Sequence, residues 1–82
     1  MVRNRNYKQF YAMKDEILIA FGKRVRELRK ERNWSQEKLA EISGLHPNYI
    51  GMVERGERNP SLLNIQRIVH SFSINLDTFF KL

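Results

Sequence analysis

Eighty-two residues make one domain at most, near the size at which a single hydrophobic core is only marginally stable. The chain has no cysteine, which excludes disulfides, thiolate metal sites and cysteine nucleophiles. Its formal net charge is +6, and residues 1–34 carry all of that excess, with ten basic and four acidic residues against five of each in residues 35–82. A basic balance attracts nucleic acid through phosphate neutralisation, and here the attraction would come from the N-terminal third. No apolar run reaches the ~20 residues of a membrane helix, and the N-terminus lacks the apolar core of a secretory signal. A cytoplasmic protein without a membrane partner is the expectation.

Residues 1–14 are polar and basic, with Tyr7, Phe10 and Tyr11 interleaved. They read either as an arm reaching along DNA or as a chain end that frays, partly helical, with its aromatics packed on the domain. Chain ends usually do the second, which is the preferred reading. Met13 offers an alternative start that would leave 70 residues.

From Asp15 to about Arg32 the pattern is helical. Leu18, Phe21, Val25 and Leu28 recur on one face, and Asp15 and Glu16 suit the N-terminal end. Gly22 costs about 1 kcal/mol against alanine inside a helix, so it marks either close packing or a bend. Lys23, Arg26, Lys30 and Arg32 form the opposite face, taken as solvated. Trp34 is expected against the next helix.

Ser35 is a fitting N-cap, with Glu37 in the first turn. Leu39, Ala40 and Ile42 supply apolar positions, and Gly44 can adopt the left-handed conformation that stops a helix. Pro47 then sits where its missing N–H costs nothing, in the first turn of another helix buried through Ile50 and Val53 and closed by Gly56. Two short helices about a glycine turn make a helix-turn-helix unit. Glu57 to Pro60 is a turn, and Ser61 caps a fourth helix with Leu62, Ile65, Ile68, Val69 and Phe72 as its stripe. Asn75 caps a last short helix from Leu76 to Phe80.

With small Ala40, turning Gly44, and Ile50 and Val53 pinning the second helix, the unit resembles the helix-turn-helix of phage Cro and repressor proteins. The longer run from Phe21 to Phe72, including YIGMVERGERN, is similar to the controller proteins of restriction–modification systems, and so is the Phe79-Phe80 ending. The resemblance covers roughly residues 16–80. It implies an all-α, five-helix lambda-repressor-like domain over residues 15–82, with the motif at about 36–55. It also implies a homodimer on double-stranded DNA, acting at an inverted repeat, with a surface for RNA polymerase that the sequence does not locate. A phage-type repressor, an antitoxin of the same fold, and an interaction module that has lost DNA binding are the alternatives.

In such a unit the second helix enters the major groove N-terminus first. That geometry turns His46, Pro47, Asn48, Gly51 and Met52 toward base edges. Asn48 is the best reader, because its amide can bond adenine N6 and N7 together, while Pro47 and Met52 suit thymine methyls. Controllers often carry arginine where Pro47 stands, which removes a guanine contact. Gly51 allows either backbone approach to DNA or close helix packing.

Phosphate contacts fall to Gln36 at a helix N-terminus, and to Tyr49, Arg55, Arg58, Asn59 and Ser61. Tyr49 could equally sit at the core edge. Arg55 and Arg58 could instead pair with Glu54 and Glu57. By the resemblance to phage repressors, Gln36 also braces the reading helix, and Glu54 pairs with Arg29 as a structural salt bridge. Ile74, Leu76, Phe79, Phe80 and Leu82 are divided between closing the core and a two-fold interface. His46 and His70 have no ligand spacing, so no metal and no cofactor are expected, and no catalytic constellation is present.

Overall fold

Each of the last four helices begins on a side chain that the sequence supplies as a cap. The structure, a computed structural model, describes the backbone of residues 4–81 and the side chains of residues 16–81. Five helices occur among these residues: α1 (Asn4–Glu31), α2 (Gln36–Ser43), α3 (Pro47–Glu54), α4 (Leu62–Ser71) and α5 (Leu76–Phe79). Ser35, His46, Ser61 and Asn75 accept from the backbone N–H of Lys38, Asn48, Asn64 and Thr78, so each satisfies a donor that the first turn leaves orphaned. Gly44 ends α2 in the left-handed region, at φ 75°, and its N–H returns to the Ala40 carbonyl. That conformation would strain a residue with a Cβ.

α1 starts at Asn4 rather than near Asp15, so Asp15 and Glu16 are helix interior and the first turn holds no acid. Most of the arm is thereby part of α1. The expectations for the aromatic side chains of Tyr7, Phe10 and Tyr11, and for Leu82, lie outside the described residues.

The core is the apolar faces of all five helices brought together. Phe21, Val25 and Leu28 of α1 meet Leu39 and Ala40 of α2, Ile50 and Val53 of α3, Ile68 and Val69 of α4, then Phe72 and Phe79. Burying one such large side chain is worth about 1.5–3 kcal/mol, and the small size of the domain makes each one matter. Ile42 and Leu62, expected on the inner stripes, are instead 42% and 77% exposed. α2 turns Leu39, Ala40 and Ser43 inward, which leaves Ile42 on the rim, and Leu62 stands in the first turn of α4, ahead of the contact.

Gly22 is explained by packing. A Cβ there would fall 2.6 Å from the Glu54 carbonyl oxygen, and closer still to that of Val53. α1 therefore rests directly on the last turn of α3, and a side chain would hold the two helices apart.

The Trp34 indole packs against the core and stacks on Phe72 at the end of α4, with ring centroids 5.7 Å apart and planes 14° from parallel. Arg32, expected to be solvated, is half-buried at the same place. It donates to the Phe72 carbonyl at 2.9 Å, and its guanidinium lies 5.0 Å from the Phe72 ring centroid. The residue works as a clamp between α1 and α4. Lys23, Arg26 and Lys30 are exposed, as expected.

Candidate nucleic-acid interface

The reading unit is held from behind by one buried ion pair. Arg29 of α1 donates from Nε to Glu54 Oε2 at 2.6 Å and from Nη2 to Oε1 at 3.0 Å. Its Nη1 donates to the Trp34 carbonyl at 2.8 Å, and Gln36 Nε2 donates to Glu54 Oε1 at 3.1 Å. The bond to Glu54 is the main influence raising the Arg29 pKa above its ordinary value, against the opposing effect of burial. The start of α2 and the end of α3 are thus tied to α1 by charge-assisted bonds, which fix their relative orientation. Arg29 and Glu54 do what the sequence assigned them, and Gln36 braces α3 through Glu54.

In front of this anchor lies a shallow cleft lined by Gln36, Pro47, Asn48, Gly51, Met52 and Arg55. Four of the five expected base readers therefore share one surface with two of the expected phosphate residues. Asn48 is exposed there, and Pro47 and Met52 are half-buried along it. Gly51 is different. It is buried, and a Cβ added to it would meet Arg55 Nη1 at 3.3 Å and Gln36 Oε1 at 3.4 Å. The glycine is a floor beneath two polar side chains, so the close packing allowed for at this position is present.

His46 is the fifth expected reader, and it is the N-cap of α3. Its Nδ1 accepts from the Asn48 N–H at 3.1 Å. That role was missed, although Pro at the first helical position places the cap one residue earlier. The Tyr49 hydroxyl accepts from Asn64 Nδ2 at 3.2 Å, joining α3 to α4, and keeps its own O–H as a donor. Ser61 is occupied as the cap of α4.

Arg55 and Glu57 form an exposed two-point pair, Nε to Oε2 at 2.9 Å and Nη2 to Oε1 at 3.1 Å. The same bonds lower the Glu57 pKa and raise that of Arg55. The partner of Arg55 is thus Glu57 rather than its neighbour Glu54. Arg58 and Asn59 are exposed in the turn after α3, and Arg58 makes no ion pair among the described residues. Phe79 is fully buried, so it closes the core and does not serve an interface; Phe80 is 44% exposed. Ile74 and Leu76 are half-buried against the core.

Residues 25–79 match the helix-turn-helix family. The chain belongs to that family. Its relatives include the control protein C.BamHI of Bacillus amyloliquefaciens, 44% identical over 76% of this chain and 78% of its own length. The control protein C.SmaI of Serratia marcescens is 62% identical over 57% of this chain and 56% of its own. Among solved structures, the restriction-modification controller protein C.AhdI of Aeromonas hydrophila superposes with a TM-score of 0.76 at 46% identity. That superposition spans 79% of this chain and 98% of the other. The chain is accordingly a DNA-binding transcription regulator and not an enzyme. No helix among the described residues is long and apolar enough to cross a membrane.

Proposed function

We propose that this chain acts as a dimer on an inverted-repeat operator and is the controller of a restriction–modification system, regulating its own promoter and the endonuclease gene. The observation that carries this reading is the likeness to relatives named as control proteins, across most of the chain and with an intact reading cleft. Asn48, at the second position of α3, reads adenine through its amide, and Pro47 and Met52 offer apolar contact to thymine methyls. Arg58 and Asn59 hold the phosphate backbone. Arg55 joins them once it leaves Glu57, since a phosphate offers the same two-point geometry as a carboxylate.

Two reading heads about one DNA turn, ~34 Å, apart need a two-fold pair. The face available for it lies around α5. Phe80 stacks on Phe21 at 5.9 Å while remaining 44% exposed, and Ile17, one α1 turn before Phe21, is 61% exposed. Ile74 and Leu76 are half-covered by the core, Leu76 one turn before Phe80. Activation would add a contact with RNA polymerase.

The test is footprinting on the DNA just upstream of the gene at two salt concentrations. A two-fold symmetric protected site that survives the higher salt is expected, with two adjacent sites for a controller. Diffuse protection that vanishes with salt would mean only basic, non-specific attraction.

A further inference from the structure

His46 caps α3 and is also exposed at its tip. A neutral imidazole has one N–H and one lone pair. In the cap the lone pair is on Nδ1, because Nδ1 accepts from the Asn48 N–H at 3.1 Å. The proton is then on Nε2. Turning the ring over would set a carbon against the Asn48 N–H and leave the cap unmade.

The rest of the first turn sharpens the point. Pro47 has no N–H, and that of Asn48 is already donated to the ring. α3 therefore presents fewer free backbone donors toward DNA than an ordinary helix start. The donor reappears on the imidazole, since a ring that accepts at Nδ1 is polarised to donate more strongly from Nε2.

We propose that His46 is a specificity-determining donor: the cap fixes its tautomer, and Nε2–H is presented to an acceptor on a base edge of the DNA, a purine N7. The proposal rests on DNA reading by α3. It gives the position a sign, because a group that can only donate outward rejects the amino groups of adenine and cytosine at the same place.

Two measurements test it. Two-bond proton–nitrogen correlation of the labelled free protein at neutral pH should show His46 protonated on Nε2 and bare on Nδ1; the opposite tautomer would overturn the cap argument without reference to DNA. The second is binding by His46→Ser, which keeps a cap acceptor but cannot reach the DNA, beside His46→Ala, which keeps neither. His46→Ser should unfold at the wild-type temperature and bind the footprinted site about 5-fold more weakly, the size of one lost neutral hydrogen bond. His46→Ala should lose the same affinity and melt earlier.

Sites carrying 7-deazapurines or single methylphosphonates identify the acceptor. The 7-deazapurine should cost the wild type the same factor and leave His46→Ser indifferent; that response to a methylphosphonate instead would make the contact a phosphate one and overturn the proposal. If His46→Ser binds the site as tightly as wild type, this proposal fails and DNA reading by α3 stands. If the chain binds no specific site, both fail.

Discussion

Glu54 and Arg55 are neighbours in the chain, and each belongs to an arginine–glutamate pair of the same chemistry. The Arg29–Glu54 pair is almost wholly covered, with the Glu54 side chain 3% exposed, and Trp34 and Gln36 take up further bonds. The Arg55–Glu57 pair spans two residues of an open turn, with side chains 58% and 52% exposed. Burial separates their roles. A covered charge cannot return to water, so the first pair fixes the orientation of three helices for as long as the fold lasts. The exposed pair is screened by salt and exchangeable, so its arginine can be transferred to a phosphate.

The sharpest way to break this contrast is to remove one buried partner. Glu54→Ala should cost about 3–5 kcal/mol, because it strands the Arg29 charge. That is a large share of the total for a small domain, so thermal melts by circular dichroism should show early or absent cooperative unfolding. A shift of only a degree or two would mean that the pair is not anchoring the helices. Next comes Gly22→Ala, which acts on the same anchorage from the backbone side. Alanine is the better helix former by about 1 kcal/mol, yet its Cβ would press on the carbonyls of Val53 and Glu54. A net loss of about 1–3 kcal/mol in urea unfolding is expected, and a gain would show that α1 can ride further out without harm.

Changes on the cleft side should leave unfolding alone and move DNA binding instead. Asn48→Ala should erase discrimination at one base pair, worth about 1–3 kcal/mol, when affinities are compared over a set of single-substitution operators. Arg58→Ala should weaken binding to every sequence and reduce the salt slope by about 0.9. The smallest effect is expected from Glu57→Gln. It frees Arg55 without touching the fold, so the melting temperature should hold while affinity rises slightly and the salt slope steepens by up to about one. An unchanged slope would mean that Arg55 never reaches the DNA.

Local signals made most of the architecture legible. Ser35, Gly44, Pro47, Ser61 and Asn75 act through their own backbone conformation or a donor three residues away at most, and each bounds a helix where the sequence put it. The buried faces followed from helical spacing, but their edges did not. Periodicity places Ile42 toward the stripe without saying how far the neighbouring helix extends over it. Arg32 looked like one more outward charge, because only the fold brings Phe72, forty residues on, beneath its guanidinium. The neighbours of Gly51 and Tyr49 were hidden for the same reason: they come from α2, from Arg55 and from α4. The start of α1 was misplaced because the polar residues before Asp15 carry no core stripe.

One consequence belongs to Trp34, the sole tryptophan of the chain. Its indole is stacked on Phe72, with the Arg32 guanidinium 5.8 Å from its own ring centroid. The contact with Phe72 exists only while α4 is docked against the end of α1. Indole emission is therefore an optical gauge built into the protein: it reports whether the first and fourth helices are closed together, without any dye or label. A denaturation curve followed at that single fluorophore, laid over one followed by helical ellipticity, shows whether the bundle opens in one event or sheds α4 first.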